Sequence, residues 1–424
     1  MKKSFFILLT GVLAAGLAAA EVITFEALDA MPVYKCGEKA EFQLSVTENG
    51  TAVKQGKYTI VFSMDSNRKL GRQTVDLAKG NPAKVSFTMR DPGFLLAQLF
   101  NEKGRPVLMK NAKGKTVPVL AGAGFDPEKI RMGYGMPEDF MKFWEDGRKM
   151  IAANPVKLEK VEKYSKKNYT TWYVTVDSLN NETLTGYLTI PAGKGPFPAY
   201  ITVPGAGPGV SGPAHLAHKN IITLAMNVHK FPTADNAAEQ KARYTAATKG
   251  RPPYATWGAG NRDTYFFRSV YVGIDRVINY IAAMPEWDKK HMVIDGSSQG
   301  GGAALLLAGY NRNITALAAN VPSLCDHGGF LLGRSSGGPR LSKTKDPAAY
   351  TPYFDAGNFA GYIRVPALVS CGFLDRTCSP SSIYAVYNQL RGEKRMICLP
   401  REGHTVSKKF AKARDKFILE QLGF

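Results

Sequence analysis

Residues 292–302 read MVIDGSSQGGG, and they are the most informative part of the chain for predicting its fold. The apolar run at 292–295 predicts a buried strand, and the small residues at 301–308 predict a helix soon after it. Between them, residues 296–300 fit the pattern G-x-S-x-G. In that pattern the third residue stands on a tight, strained turn from strand to helix, which holds its hydroxyl clear of the backbone. We therefore predict that Ser298, rather than Ser297, is a nucleophile.

A serine hydroxyl reacts poorly without a base, and only two histidines follow Ser298 in the chain. Where this elbow occurs, the chain order is serine, then an acidic residue, then histidine. His327 comes soon after the next predicted strand, which is too early, and we assign it to a pocket wall or to the surface. His404 lies in a loop after the strand that ends at Leu399, which is where the base is expected. We predict that His404 is the general base.

The acid that orients this base is expected at the end of the preceding strand. Residues 367–370 predict that strand, and Asp375 follows it, at the same edge of the sheet as Ser298. A carboxylate there accepts the Nδ1 proton of the histidine and holds the reactive tautomer. We predict Asp375 in this role, with Asp355 and Glu402 as the alternatives.

Two backbone N–H groups are needed to stabilise a developing oxyanion. We predict the first at Gln299, because the residue after the nucleophile opens the helix. The second is expected in the loop after the third core strand, where residues 204–209 read PGAGPG, and we assign it to Ala206. A plain turn without this role is the alternative for the loop.

Beyond residue 123, apolar strand-like runs alternate with helical patterns, which is typical of a mostly parallel sheet covered by helices. We predict an α/β-hydrolase fold over residues 123–424. Further strands are predicted at 197–203, 221–226 and 395–399, and further helices at 266–283, at 381–390 and from Ser407 onward.

Residues 21–122 instead alternate apolar and polar side chains at 40–46, 58–64 and 84–89, which is typical of strands with one buried face. Turn-forming clusters such as Asn49-Gly50 separate them. We predict an all-β, immunoglobulin-like sandwich over 21–122. A structural or spacing role is indicated for it, with carbohydrate contact or oligomer assembly as the alternative.

Residues 1–20 have the pattern of a secretory leader, with Lys2 and Lys3, an apolar run, and three alanines before Glu21. The apolar run is too short to span a bilayer, and no later stretch is apolar enough to do so. We expect an exported protein, periplasmic or secreted. Export permits disulfides, and Cys371 and Cys378 are the candidate pair among the five cysteines, with two buried apolar residues as the alternative.

The formal net charge is +20, and the lysines and arginines are spread along the whole chain. A spread excess indicates a solvated basic surface, and attraction to acidic polymers is the alternative. No nucleic-acid-binding motif is present, so we predict no nucleic-acid partner. The cysteine spacings do not fit a zinc site, and no carboxylate completes a site with His215, His218 and His229, so we predict no metal.

Five stretches resemble the acetyl xylan esterase and cephalosporin-C deacetylase group, carbohydrate esterase family seven. They are MPEDFMKFW from Met136, YFFRSVYVGIDRVINYI from Tyr265, GSSQGGG from Gly296, NVPSLCD from Asn320 and FLDRTCSPSSIYAVYN from Phe373. The resemblance implies hydrolysis of acetyl esters on small sugars or xylan fragments, without a cofactor. It also implies the roles given above to Ser298, Asp375 and His404, and it suggests oligomers.

The sequence departs from that group at three places. Residues 227–230 read NVHK where the group has an Arg-Gly-Gln stretch, and Thr405 stands where a glutamate usually follows the histidine. Pro204 and Ala206 replace a histidine and a tyrosine around the glycine of the oxyanion loop. These changes leave the predicted triad intact and bear on substrate range and oligomer geometry.

Two other classes share features of this pattern. A serine peptidase of the prolyl-oligopeptidase type has the same fold and triad order, but we identify no group that would anchor a peptide N-terminus. A glycan-binding protein with an inactive hydrolase domain is the second, and the intact triad argues against it. A glucuronoyl or feruloyl esterase remains an alternative within the same chemistry.

Overall fold

The structure is a computed structural model that describes residues 21–111, 114–214, 216 and 219–424. The predicted leader at 1–20 and the histidines at 215 and 218 lie outside the described residues. We call residues 21–125 the β region and residues 126–424 the hydrolase region. In the described chain, no helix is long and apolar enough to cross a membrane.

The β region is built from short strands. They are β1 (Glu21–Ala27), β2 (Val33–Tyr34), β3 (Ala40–Glu48), β4 (Thr51–Ala52), β5 (Lys57–Met64), β6 (Arg68–Asp76), β7 (Ala83–Phe87), β8 (Gly93–Asn101), β9 (Leu108–Lys110), β10 (Thr116–Pro118) and β11 (Leu120–Phe125). Strands β1, β3, β4 and β7 form one sheet, and a second sheet has the order β2-β11-β8-β5-β6. The three strands predicted from alternation correspond to β3, β5 and β7.

The two sheets face each other across one apolar core, because alternate side chains of each point inward. Phe42 of the first sheet lies with its ring centroid 6.1 Å from that of Phe62 in the second. Phe62 in turn stacks on Phe87 at 4.4 Å. The β region is therefore a two-layer sandwich, as predicted.

Strand β11 continues past residue 122, where the domain boundary is predicted, and ends at Phe125. It pairs antiparallel with β8 along its whole length. A Cβ atom on Gly122 would lie 2.9 Å from the carbonyl oxygen of Phe373, and one on Gly124 would lie 2.9 Å from the ring of Phe94. The small residues at this point allow close packing of a strand rather than marking a linker.

The hydrolase region contains the remaining strands and the helices. The strands are β12 (Val156–Lys160), β13 (Tyr169–Asp177), β14 (Thr183–Pro191), β15 (Phe197–Val203), β16 (Ile222–Met226), β17 (Trp287–Ser297), β18 (Ala316–Asn320), β19 (Ala367–Gly372) and β20 (Lys394–Leu399). The helices are α1 (Phe140–Met150), α2 (Ala237–Thr248), α3 (Phe266–Ala283), α4 (Gln299–Tyr310), α5 (Pro347–Tyr350), α6 (Ala356–Ala360), α7 (Pro380–Tyr387) and α8 (Lys408–Gln421). Each strand and helix predicted here is present, with bounds shifted by a few residues.

These strands form a nine-stranded sheet with the order β12-β13-β14-β16-β15-β17-β18-β19-β20. Pairing is antiparallel from β12 to β16 and parallel from β16 to β20. The carboxyl ends of parallel strands meet at one edge, so the loops after β15, β17, β19 and β20 all lie there. The mostly parallel sheet of the predicted fold class is confirmed.

Both faces of this sheet are buried at its centre, where every residue of β16, β18 and β19 is buried. Ile201 and Ile294 point to one face, where they join the large core formed with α3 and α4. Tyr200 and Val293, one position earlier on the same strands, point to the other face and pack with Ile418 of α8. The sheet is thus the middle of three layers.

The two regions share packing through Phe94 of β8. Its ring lies 4.8 Å from that of Phe373 and 5.3 Å from that of Tyr384, centroid to centroid. Its backbone N–H donates to Ser381 Oγ at 3.0 Å, and that hydroxyl donates to Asp65 Oδ1 at 2.8 Å. The β region therefore rests directly against the segment that follows β19.

We expect Gly300→Ala to destabilise the hydrolase region strongly. A Cβ atom at this position would lie 2.1 Å from the carbonyl oxygen of Val203, so β15 and α4 would have to separate. Overpacking of this kind costs roughly 1–3 kcal/mol or more. Urea unfolding measures the change, and Gly135→Ala, where nothing lies within 4 Å of the new Cβ, is the matched control. Equal stability of the two variants would contradict the close approach.

Candidate active site

The turn between β17 and α4 holds Ser298 in a conformation that is rare for a residue with a side chain. Its φ is +57° and its ψ is −118°. Such backbone strain costs about 1–3 kcal/mol and persists only where the surroundings impose it. Here Ser298 N–H donates to Asn320 O at 2.9 Å, and Ser298 O accepts from Ser323 N–H at 2.9 Å. The predicted elbow is present, with Ser298 at its apex.

Three distant side chains meet at this apex in one chain of hydrogen bonds. His404 Nε2 lies 2.9 Å from Ser298 Oγ, and His404 Nδ1 lies 2.8 Å from Asp375 Oδ2. Because a carboxylate accepts, Nδ1 donates to Asp375, which leaves Nε2 with a lone pair that accepts the serine proton. The structure brings together the three residues that the sequence predicted as a triad.

Asp375 is fully buried and is held in place by its own loop. Its Oδ1 accepts from the backbone N–H groups of Thr377, at 2.8 Å, and Cys378, at 2.9 Å. Oδ2 is then left for His404, whose side chain is 29% exposed. The loop therefore fixes which carboxylate oxygen faces the imidazole.

The two alternative acids do not reach His404. Asp355 is buried elsewhere, where it accepts backbone N–H groups from Asp326 at 2.9 Å, His327 at 2.6 Å and Gly357 at 3.0 Å. Burial raises its pKa to about 6, against the opposing effect of these bonds. Glu402 contributes a backbone carbonyl, which accepts from Leu374 N–H at 3.0 Å. Both are structural residues of the loops around the site.

Asn320, at the end of β18, joins the elbow, the loop that carries His404 and strand β19, and it was not singled out from sequence. Its Nδ2 donates to Ser297 Oγ at 2.7 Å and to Thr405 O at 3.2 Å, while its Oδ1 accepts from Ser370 Oγ at 2.7 Å. The elbow and the loop that carries His404 are thus joined through one amide. An asparagine directly after a buried strand, at the reactive edge, was the available signal.

The predicted oxyanion loop lies beside the elbow. A Cβ atom on Gly205 would be 3.9 Å from Ser298 Cβ, and Gln299 opens α4, so its N–H has no carbonyl in a preceding turn. Pro204 has no N–H, so the next donors in the loop are those of Gly205 and Ala206. Ala206, the residue after Gly205, is exposed.

His229 anchors this loop from behind. It is buried, its Nε2 donates to Gly207 O at 2.6 Å, and burial lowers its pKa. Its ring stacks on Phe231 and meets Tyr254 edge-on. Tyr254 also donates its hydroxyl to Gln299 Oε1 at 2.6 Å. These contacts explain the departure at residues 227–230: His229 supports the loop.

Cys371 and Cys378 do not form the candidate disulfide; both thiols are free and buried, which is the alternative given above. Cys371 is buried within β19, and Cys378 contacts the Ser298 hydroxyl. Burial raises the pKa of the Cys378 thiol, which keeps it protonated beside the nucleophile. Among the described residues, no group of three or more His, Cys, Asp or Glu side chains is arranged to hold a metal ion.

Comparison with known proteins agrees with this architecture. The sequence model of the acetyl xylan esterase (AXE1) family matches residues 128–331 and 342–422, which is well over half of the chain. This chain belongs to the acetyl xylan esterase family. It is accordingly a carboxylic ester hydrolase, and the match begins just past the β region.

Individual proteins are also similar to this acetyl xylan esterase family member, one in sequence and two in structure. It is 30% identical over 386 residues to the acetyl esterase Axe7A of Xylanibacter ruminicola, covering 88% of this chain and 84% of that protein. The structure of acetyl xylan esterase 1 from Thermoanaerobacterium sp. JW/SL YS485 has a TM-score of 0.58 at 19% identity, covering 70% of this chain and 97% of that one. The structure of an acetyl xylan esterase from Paenibacillus sp. R4 has a TM-score of 0.57 at 23% identity, covering 69% of this chain and 98% of that one. These structures share the fold.

In this family member His327 is fully buried rather than on the surface, and burial lowers its pKa to about 4. The unfolded chain binds a proton on this ring below its ordinary pKa of about 6.5, whereas the native protein does not. Protonation of His327 in the unfolded chain therefore lowers the free energy of unfolding as the pH falls from 6.5 to 4. The total loss over this range is about 3 kcal/mol, and above pH 6.5 there is none.

We expect His327→Leu to remove that acid-sensitive contribution. The free energy of unfolding of the wild type should fall by about 3 kcal/mol more than that of the variant between pH 6.5 and 4. Buried carboxyls such as Asp355, whose raised pKa acts in the opposite direction, are common to both proteins and cancel in the difference. Urea titrations at several pH values give the free energy of unfolding of each protein as a function of pH. An equal dependence on pH in the two proteins would contradict a neutral, buried ring.

Proposed function

We propose that this protein removes acetyl groups from acetylated xylan or related oligosaccharides, with Ser298 as nucleophile, His404 as general base and Asp375 as the orienting acid. The observation that carries the proposal is the continuous hydrogen-bonded chain from Ser298 Oγ through His404 to Asp375. Its occurrence on a strained elbow, in a member of the acetyl xylan esterase family, supports hydrolysis through an acyl-serine intermediate.

In the first half-reaction, Ser298 Oγ attacks the acetyl carbonyl carbon while His404 Nε2 takes the hydroxyl proton. The carbonyl oxygen becomes an oxyanion, and we assign its two donors to the N–H groups of Gln299 and Ala206. Removing one such donor typically costs about 3 kcal/mol of transition-state stabilisation. His404 then gives its proton to the departing sugar oxygen, and an acetyl-serine remains.

In the second half-reaction, water attacks the acetyl-serine carbonyl, and His404 accepts a proton from that water. The same two N–H groups stabilise the second oxyanion. Collapse of this intermediate returns the proton to Ser298 Oγ and releases acetic acid, so the enzyme is restored without a metal or a cofactor.

Release of acetate from acetylated xylan, followed enzymatically or by mass spectrometry, tests this function. Acetylated xylo-oligosaccharides, acetylated mannan fragments and 4-nitrophenyl acetate form the panel. We expect turnover of the xylan substrates and of the aryl acetate. Turnover of the aryl ester alone would contradict the assignment of a glycan substrate. The absence of turnover with every ester would contradict the esterase function.

Two further assays distinguish the rival classes from an esterase. A prolyl-oligopeptidase-type enzyme would cleave an aminoacyl-proline amide, and we expect no cleavage. A protein with an inactive hydrolase domain would not react with a fluorophosphonate, whereas we expect a single covalent adduct on Ser298, located by peptide mass spectrometry.

We further propose that the protein is exported and forms oligomers. The leader pattern at 1–20 supports export, and the resemblance to family seven supports assembly. N-terminal sequencing of the mature protein should find Glu21 or a residue close to it. Sedimentation velocity should find a mass that is a multiple of the protomer mass, and a single protomer mass would contradict assembly.

A further inference from the structure

A cavity of about 440 Å³ lies where the β region meets the hydrolase region. On one side it is lined by Asp65, Ser66 and Asn67, in the turn after β5. On the other side it is lined by residues between Phe330 and Lys343 and by Arg376. This volume is within the range of small-ligand sites. The three triad residues do not line it.

Basic side chains outnumber carboxyls in the lining of this cavity, although Arg334 among them is already paired with Asp326. Four basic side chains line it, from Arg334, Arg340, Lys343 and Arg376, against the single carboxyl of Asp65. Burial raises the pKa of Asp65 to about 7, so that carboxyl is substantially protonated at neutral pH and offsets the cations only in part. Hydroxyls of serine residues supply further donors. The lining is suited to an anion.

Arg334 is a buried member of this lining with an unused donor. Its guanidinium is 5% exposed and donates to Asp326 Oδ2 at 2.6 Å and to Arg131 O at 2.5 Å. Its Nε has no hydrogen-bond partner in the described part of the chain. Nε is closed to water, so Arg334 acts on an anion in the cavity through its charge and not through a direct hydrogen bond.

The cavity is joined to the active centre through the acid loop. Arg340 Nη2 donates to the backbone oxygen of Arg376, the residue after Asp375, at 2.5 Å. The charge of Arg340 also acts on Cys378, whose thiol contacts the Ser298 hydroxyl. The cavity therefore adjoins the loop that carries Asp375.

We propose that this cavity is a subsite for a carboxylate carried by the glycan, so that the enzyme prefers acetylated oligosaccharides with a hexuronic acid residue near the acetyl group. The inference rests on the proposed function. Guanidinium groups bind carboxylates with paired, directional hydrogen bonds, which a neutral sugar cannot accept with equal strength. The net charge of +20 favours the approach of a polyanionic glycan over a neutral one.

Two acetylated xylo-oligosaccharides of equal length test the subsite, one neutral and one with a single glucuronic acid branch. We expect kcat/KM to be at least tenfold higher for the acidic substrate at low salt. This preference should fall as sodium chloride rises toward 0.5 M, because screening weakens charge interactions at exposed sites. Equal kcat/KM for the two substrates at low salt would overturn the subsite.

The double variant Arg340→Gln, Lys343→Gln should bring the acidic-to-neutral ratio of kcat/KM close to one. Since the ratio is the readout, a general loss of activity or stability affects both substrates and cancels. Lys345→Gln is the matched control, because Lys345 is an exposed lysine on the same loop that does not line the cavity. An unchanged ratio in the double variant, or an equal drop in Lys345→Gln, would overturn the assignment.

Failure of the proposed function would be seen separately. If neither oligosaccharide releases acetate, the deacetylated glucuronic acid-branched oligosaccharide is titrated calorimetrically into the protein. Binding that is lost in the double variant but kept in Lys345→Gln would establish the anion subsite without the esterase activity. The absence of binding would overturn it.

Discussion

Ser298→Ala should lower kcat for acetate release by on the order of 10⁶ while the fold remains intact. The substitution removes Oγ, which forms the bond to the acetyl carbon, and leaves the backbone bonds of residue 298 to Asn320 and Ser323 in place. Alanine also tolerates the positive φ about as well as serine. Steady-state rates on acetylated xylan and 4-nitrophenyl acetate, with circular dichroism as a check on folding, measure the effect.

Ser297→Ala is the matched control for this prediction. Ser297 precedes the nucleophile, and its hydroxyl accepts only from Asn320 Nδ2, at 2.7 Å, among the described hydrogen bonds. Loss of a single neutral hydrogen bond costs about 1 kcal/mol, so kcat should change by less than about tenfold. Comparable losses in the two variants, or substantial turnover by Ser298→Ala, would show that the nucleophile is another group.

Asp375→Asn should lower kcat by on the order of 10⁴. Two backbone N–H groups, from Thr377 and Cys378, point at Oδ1, so the amide oxygen of the asparagine must take that place. Its NH₂ group then faces His404 Nδ1. Because two donors cannot pair, the imidazole keeps its proton on Nε2 instead, and it can no longer accept the proton of Ser298.

Glu402→Gln tests whether this loss is specific to Asp375. Glu402 lies two residues before His404, and its contact with the acid loop is through its backbone carbonyl, which the substitution preserves. Its kcat should stay near that of the wild type. A loss in Glu402→Gln as large as in Asp375→Asn, at unchanged thermal stability, would move the acid role to residue 402.

The elbow and the triad could be predicted from sequence because their signals are local or ordered along the chain. Residues 296–300 carry a motif that requires a strand before it and a helix after it, and both are present. Only two histidines follow Ser298, and the position of His404 after the strand that ends at Leu399 favours it over His327. Asp375 followed from its place after a buried strand.

What the sequence could not give depends on contacts between distant segments. The predicted domain boundary lies at residue 122, but only the proximity of Phe373 explains why a glycine stands there. His327 gave no sign of full burial, because burial is set by surrounding elements rather than by neighbours in sequence. Cys371 and Cys378 are near each other along the chain, yet the first is buried within β19 and the second lies at the Ser298 hydroxyl.

The contact of Phe94 and Gly122 with Phe373 has a consequence for protein engineering. Asp375 lies on a segment that packs against β8 and β11 of the β region. Trimming the chain to the stretch that its family profile recognises would strip away that support and uncover an aromatic surface. Chimeras should therefore exchange β8 and β11 together with residues 373–384, as one co-adapted set.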